Sequence, residues 1–455
     1  MRPKTVALFA LLPLAVPGAA AADPLSRAEA VARALDVNPE VRRSREDLAR
    51  LDGLIREATA DALPEVTLLG TATRFRDPSL LNSPNFEAFP PEFGDAFQPI
   101  PTSLYEGMAT LKQTLFSFKL GAAIRAARLG RAFGREELAR ARQAVALAAV
   151  QAYNQYLLGL ERVKIAEKSV RLKEVQLDMA RGRRVAGVAT DLEVLRFQVD
   201  LGNDRARSLA VRGQADLARG RLNAVMVRPI DAPVTPTDTL DLIPMEVSID
   251  EAVREAWGNR SEAKAIDLSE RIHDQLITVA AGDGRPSLEL NAVYGYSVRE
   301  PGNFFRGDFT KWSASVSLKV PVFDGFRTAG KVAQARAERR KVAQDKVALE
   351  NQIRLEAKDA VDRLNVARSV LEAADLNVTQ AQKAFDMTQA NYRLGAASSL
   401  DVLEAQAALT QAESNRLEAL YVHANARAAV RYVMARDPLD PPRPGGPRLE
   451  TGEKP

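Results

Sequence analysis

Gly187-Val188-Ala189-Thr190-Asp191-Leu192-Glu193-Val194-Leu195-Arg196-Phe197-Gln198 and Gly395-Ala396-Ala397-Ser398-Ser399-Leu400-Asp401-Val402-Leu403-Glu404-Ala405-Gln406 are two versions of one text. Gly, Ser/Thr, Leu, an acid, Val, Leu and Gln recur in a single register, about 208 positions apart. Each version lies between two long polar/apolar patterns of helical period, with no other breaker nearby. A glycine closing one helix supplies the left-handed stop, and Thr190 or Ser398 can cap the next. Each version reads as the turn of a long helical hairpin, and the chain as a duplication.

The flanking sequence repeats with the turns. Lys119 to Val185 is a nearly unbroken helical pattern of about 65 residues, about 100 Å at the rise of an α-helix; Asp191 to Val227 is its shorter return. Arg327 to Tyr392 and Ser399 to Met434 form the second such pair. Before each long helix the period changes from about 3.6 to 2. This predicts strands over about 64–75 and 104–116, and again over about 286–298 and 311–323. In the last of these, Trp312, Ala314, Val316, Leu318, Val320 and Val322 alternate with Ser313, Ser315, Ser317 and Lys319.

Residues Arg76 to Ser103, rich in Pro, Phe, Asn and Asp, read as a long exposed loop. The corresponding loop, Arg299–Phe309, is about 15 residues shorter, and the offset between copies falls from about 222 to about 207 across it. A length change confined to a loop is what a structural repeat predicts. Helical patterns from Asp23 to Ala62 and from Ser248 to Ala281 open the two copies. Pro229, Pro233, Pro236 and Pro244 mark an irregular connector between them. The expected division is a leader over 1–22, a first repeat over 23–227, a connector over 228–247, a second repeat over 248–436 and a disordered Pro/Gly-rich tail over 437–455.

Composition limits the function. Arg2 and Lys4, an apolar run from Val6 to Val16 and a small-residue stretch before Asp23 form a secretory signal peptide, with cleavage expected just before Ala22 or Asp23. No later run approaches the ~20 apolar residues of a spanning helix. Loss of Arg2 and Lys4 takes the formal charge from +4 to +2, so a basic pI is no argument for nucleic acid. Cysteine is absent, which excludes disulfides and thiolate metal sites. The two histidines, His273 and His423, stand apart, and there is no HExxH, P-loop or GxSxG arrangement. No enzyme, cofactor or metal site is expected.

Strands of ten to twelve residues with strict alternation have about the length and period of membrane-barrel strands. Tyr105, Tyr294, Tyr296 and Trp312 fit an aromatic girdle at a membrane interface. Four strands cannot close a barrel, for which about eight is the practical minimum. If they span, the chain must oligomerise: two copies give a small filled barrel, three give twelve strands around a pore. The rival reading keeps the strands as soluble hairpins, in a structural periplasmic coiled-coil adaptor or spacer.

With Asn38-Pro39, Leu63-Pro64, the duplicated strand-helix plan, Tyr392-Arg393-Leu394-Gly395 and Leu400-Asp401-Val402-Leu403 in this order, the sequence resembles the TolC family of outer-membrane efflux proteins. The resemblance covers nearly all of the chain after the leader. It implies an α+β membrane protein, a homotrimer in which a 12-stranded outer-membrane β-barrel is continuous with a periplasmic α-helical barrel. An equatorial belt would form from the connector near Pro229–Met245 and the C-terminal segment.

The implied function is a passive exit duct for small molecules or polypeptides, in a tripartite pump or a type I secretion system. The implied partners are a periplasmic adaptor, outer-membrane lipid and, indirectly, an inner-membrane transporter, with no nucleic acid. Carried over position by position, the periplasmic gate falls on Asp401, Glu404 and Tyr392. The adaptor-docking tips fall on Gly187, Val188, Thr190, Gly395, Ala396, Ser398 and Leu400. A basic residue that some members carry between Gly and Ser is Ala397 here, while Arg196 stands where Glu404 stands in the other copy and could pair with it.

Overall fold

The computed structural model describes residues 23–76 and 101–439. The expected leader, most of the 76–103 loop and all but the first residues of the tail lie outside them. The elements run in order as β1 (Asp23–Leu25), α1 (Arg27–Val37), α2 (Pro39–Ala60), β2 (Glu65–Phe75), β3 (Thr102–Ser117), α3 (Phe118–Val185) and α4 (Asp191–Val225). They continue as β4 (Val234–Pro236), α5 (Ile249–Asn259), α6 (Ser261–Gly282), β5 (Ser287–Val298), β6 (Thr310–Lys319), α7 (Arg327–Arg393) and α8 (Ser399–Val433). The plan helix–helix–strand–strand–long helix–return helix thus occurs twice.

Three sequence expectations are corrected. The patterns opening each copy are not single helices. In the first, Pro39 follows Asn38, which is held extended at φ −61°, ψ 131°, because a residue before proline is pushed out of the helical region. Proline then begins α2, where its missing N–H costs nothing. In the second, Arg260 takes the same extended conformation with no proline to force it; it is buried and ion-paired with Glu356.

The connector is not wholly irregular either. Val234–Pro236 pairs in parallel with Asp23–Leu25, a stretch read from sequence as helix. Last, β6 ends at Lys319, short of the expected 323, because Pro321 lacks the N–H that would continue a ladder.

The described residues fall into two compact units. One comprises 23–44, 138–261 and 350–439; the other comprises 45–76, 101–137 and 262–349. The first unit contains a core in which Leu25, Ala30, Val31, Val145, Ala149, Tyr153, Leu157, Leu222, Met226 and Val234 pack together. Tyr153 donates from its hydroxyl to Leu25 O at 2.8 Å and Tyr156 to Val234 O at 3.0 Å, which ties the β1–β4 pair to α3. Within α3 and α4 the backbones come very close: a Cβ on Gly159 would meet Ala215 Cα at 3.0 Å.

The second unit holds an antiparallel sheet in the order β2-β3-β5-β6. Its register settles the chemistry of each face. Val66 pairs with Leu111, Leu111 with Ala292 and Ala292 with Ala314; Leu68 pairs with Ala109, Ala109 with Tyr294 and Tyr294 with Trp312. One face is therefore a continuous apolar and aromatic surface, with Leu68 80% and Trp312 74% exposed. The neighbouring rows, Thr67-Thr110-Val293-Ser313 and Glu65-Lys112-Asn291-Ser315, make the other face mostly polar. Alternation with a period of two makes this segregation automatic. Among the described residues, no helix is long and apolar enough to cross a membrane.

Candidate functional site

The site predicted from the sequence is the pair of turns, both in the first unit. Gly187 at φ +76° and Gly395 at φ +79° end α3 and α7 in the left-handed region. Val188 N donates to Arg183 O at 2.9 Å and Ala396 N to Asn391 O at 2.8 Å, with Gly187 N to Arg184 O and Gly395 N to Tyr392 O inside them. These nested bonds are the left-handed C-terminal cap that glycine permits, and any larger residue would pay steric strain there.

The return helices start on capping hydroxyls. Thr190 Oγ1 accepts from Glu193 N at 3.3 Å. Ser398 Oγ accepts from Asp401 N at 3.2 Å, and the Asp401 carboxylate accepts from Ser398 N at 2.8 Å and from the Ser398 hydroxyl. The second turn is thus a reciprocal capping box; the first is capped from one side.

Of the three predicted gate residues, the structure gives each a different setting. Tyr392 is 5% exposed. Its hydroxyl bonds the carboxylate of Glu193 on the first hairpin. Burial, then the bond to that carboxylate, push the phenol pKa up to about 12. The Arg183 guanidinium lies 4.5 Å from the Tyr392 ring centroid and donates to Tyr392 O at 3.0 Å. Asp401 is exposed, and its bonds from Ser398 hold its pKa below the usual aspartate value. Glu404 is exposed one turn on.

Arg196 and Glu404 are both exposed and, within one chain, are not ion-paired with each other among the described residues. Sequence reading found no basic partner at Ala397. Arg183, from the last turn of α3, occupies the role of cation beside Tyr392 instead.

The tip residues themselves make the turns just described, and the side chains left over are apolar. Val188 is 64% and Leu394 83% exposed, with Val185, Leu192, Leu195 and Leu400 also large, apolar and uncovered. Sequence reading missed Val185, Leu192, Leu195 and Leu394, although their hydropathy at a solvent-facing turn was a signal. Neither histidine belongs to the site: His423 is buried in α8 and His273 Nδ1 meets Ser269 O at 2.8 Å. Among the described residues no three His, Asp or Glu side chains converge as a metal-ligand set.

A sheet with one lipid-like face and long hairpins that end in capped, cross-braced turns are the parts of an outer-membrane export channel. Comparison with known proteins gives the family. Residues 30–226 and 253–436 match the model of the outer membrane efflux proteins, and the chain belongs to that family.

Outer membrane protein OprJ of Pseudomonas aeruginosa is 26% identical over 385 residues, 82% of this chain and 76% of OprJ. Alkaline protease secretion protein AprF of the same organism is 22% identical over 343 residues, 72% of this chain and 69% of its own length. A crystal structure of a membrane protein from Pseudomonas aeruginosa superposes with a TM-score of 0.78 at 21% identity, covering 90% of this chain and 92% of that one. The fold is that of the TolC-type channels, and the chain is an outer-membrane exit duct whose helical hairpins extend into the periplasm.

Proposed function

We propose that three copies of the chain close one twelve-stranded barrel and continue it as a periplasmic helical barrel. The sheet order β2-β3-β5-β6 carries this reading, since neither β2 nor β6 has a second partner strand among the described residues. In hydrocarbon an unpaired backbone group costs on the order of several kcal/mol, so the two edges must meet another copy. Three copies leave an open pore, whereas an eight-stranded dimer would fill its own interior with side chains. The apolar face then meets outer-membrane lipid, and the polar face lines the lumen.

In that assembly the duct is passive and carries out no catalysis. Asp401 and Glu404 from three copies form two acidic rings at the periplasmic entrance, which favour cations. The bond of Tyr392 to Glu193, backed by Arg183, latches the second hairpin to the first. The exposed apolar residues around Gly187, Val188, Thr190, Gly395, Ala396, Ser398 and Leu400 are where a periplasmic adaptor docks, itself bound to an inner-membrane transporter. Small molecules and polypeptides are both open as cargo, and the secretion relative keeps the second in view.

Native mass spectrometry of the protein extracted from outer membranes in mild detergent should give the mass of three chains. A mass of two chains would overturn the trimer.

A further inference from the structure

The first stretch of α3 is unusually one-sided in charge. From Phe118 to Arg135 it carries Lys119, Arg125, Arg128, Arg131 and Arg135 and no acid. Neighbouring elements neutralise two of these: Asp283, just past the end of α6, takes Lys119, and Asp52 of α2 takes Arg131. The others are not matched in the same way. Arg125 donates from Nε to the neutral amide oxygen of Gln275 at 2.8 Å. Arg128, and Arg271 across from it on α6, have no acidic partner among the described residues.

Arg125, Arg128 and Arg271 line one cleft of about 520 Å³ between α3 and α6, with Leu129, Asp274 and Gln275. Its single carboxylate, Asp274, is engaged by Arg339 of α7. The acceptor of Gln275 is already used by Arg125, which leaves the amide N–H groups. What the cleft offers a ligand is thus dominated by donors: three guanidinium groups and an amide. Guanidinium stays charged at every physiological pH, and its planar fork matches the paired oxygens of a carboxylate or phosphate.

Among the described residues the cleft is lined by α3 and α6 alone and is open to solvent. On its other flank α3 meets α2, and α6 meets α7 through Asp274 and Glu270. Because α3 follows β3 and α6 precedes β5, the two inner strands, a further copy joining at β2 or β6 would leave the cleft open.

We propose that this cleft binds a multivalent oxyanion of the phosphate class, held by Arg125, Arg128 and Arg271. Free phosphate compounds and lipid headgroups share that chemistry.

Calorimetric titration of the full chain in uncharged detergent with inorganic tripolyphosphate tests it. Saturable binding, one anion per chain, is expected, and R128Q/R271Q should weaken it about tenfold or more, since each charge-assisted bond is worth more than a neutral one. R336Q/R340Q removes the same charge from exposed positions on α7 outside the cleft and should bind like the parent. Equal weakening in both double variants, or no saturation in the parent, overturns the site in favour of diffuse charge.

Competition then separates the two sources. Displacement of the bound anion by short-chain phosphatidylglycerol but not by free phosphate identifies a lipid headgroup; displacement by free phosphate identifies a soluble ion; displacement by neither overturns the proposal. Circular dichroism of each variant guards against loss of fold.

Discussion

The two helical hairpins share a turn and differ in what they bury three turns above it. In α3/α4, Lys173 is buried and ion-paired with Asp200 and, at 3.2 Å, with Asp204. Asp204 also accepts from the Ser169 hydroxyl at 2.5 Å. The positions one repeat later, Ala381, Ala408 and Ala412 on α7 and α8, are all alanine. There Phe385, Val402 and Leu409 pack together with Tyr392, and Ala381 joins them. One sequence plan therefore supports either an ionic or an apolar interior. The apolar version adapts without leaving anything unpaired, whereas the ionic version fixes partner and register at the cost of dehydrating Lys173 and Asp204.

Removing one partner is the largest way to break that contrast. Lys173→Met leaves Asp204 buried beside Asp200 with no cation and should cost about 3–5 kcal/mol, read as a lower thermal midpoint of the detergent-solubilised chain. Replacing Lys173, Asp200 and Asp204 together with apolar residues, so that the first hairpin copies the second, should recover most of that loss. If the triple variant is no better than K173M, the ionic cluster is more than an alternative filling.

Next in size is the brace between the hairpins. Tyr392→Phe removes the bond to Glu193 and should cost about 1–3 kcal/mol, because the acceptor is a charged group. It should also raise single-channel conductance in a planar bilayer. Tyr392 carries a pH signature as well. Its folded pKa of about 12 lies above the ordinary tyrosine value of 10.0, so the folded state holds the proton more tightly. That contribution is complete below pH 10 and is lost as pH rises through 12. Alkaline unfolding followed in that window should lose one phase in Y392F; an identical profile would mean that Tyr392 does not titrate with the brace.

The caps should differ by less. Ser398→Ala removes half of a reciprocal box and Thr190→Ala a single bond, each costing about 1 kcal/mol, with Ser398 the larger. Hydrogen exchange at Asp401 N and Glu193 N reads the two separately. Smallest in stability is D401N/E404Q, which keeps the Asp401 cap acceptor and removes only charge. It should lower the midpoint by less than either cap variant, because the Asp401 bonds from Ser398 persist without their charge, while weakening cation preference. Unaltered selectivity would return both carboxylates to local duties at the turn.

Much of this was legible because it depends on short-range pattern. The turns need glycine and a capping hydroxyl in fixed order, and the strands need only alternation, so both could be read directly. Asn38-Pro39 was also a visible break, passed over because the apolar stripe runs on across it. Its counterpart at Arg260 was not visible: no local residue forces the bend, and the ion pair with Glu356 lies 96 positions away.

The same holds at the site. Tyr392 and Asp401 stood out in the repeat, but the partners of Tyr392 lie 199 and 209 positions off, at Glu193 and Arg183. Arg183 could have been suspected as a basic residue in the last turn of a helix, where the dipole favours one. The parallel pairing of β1 with β4 involves three residues on each strand and left no periodic trace.

Gly159 and Ala215 bear on how the first hairpin can move. With Ala215 Cα 3.0 Å from where a Cβ of Gly159 would lie, the two backbones interlock like a tooth in a notch. Axial slippage of α3 along α4 would have to lift one helix over the other, so the first hairpin is locked against telescoping at a level far from its turn.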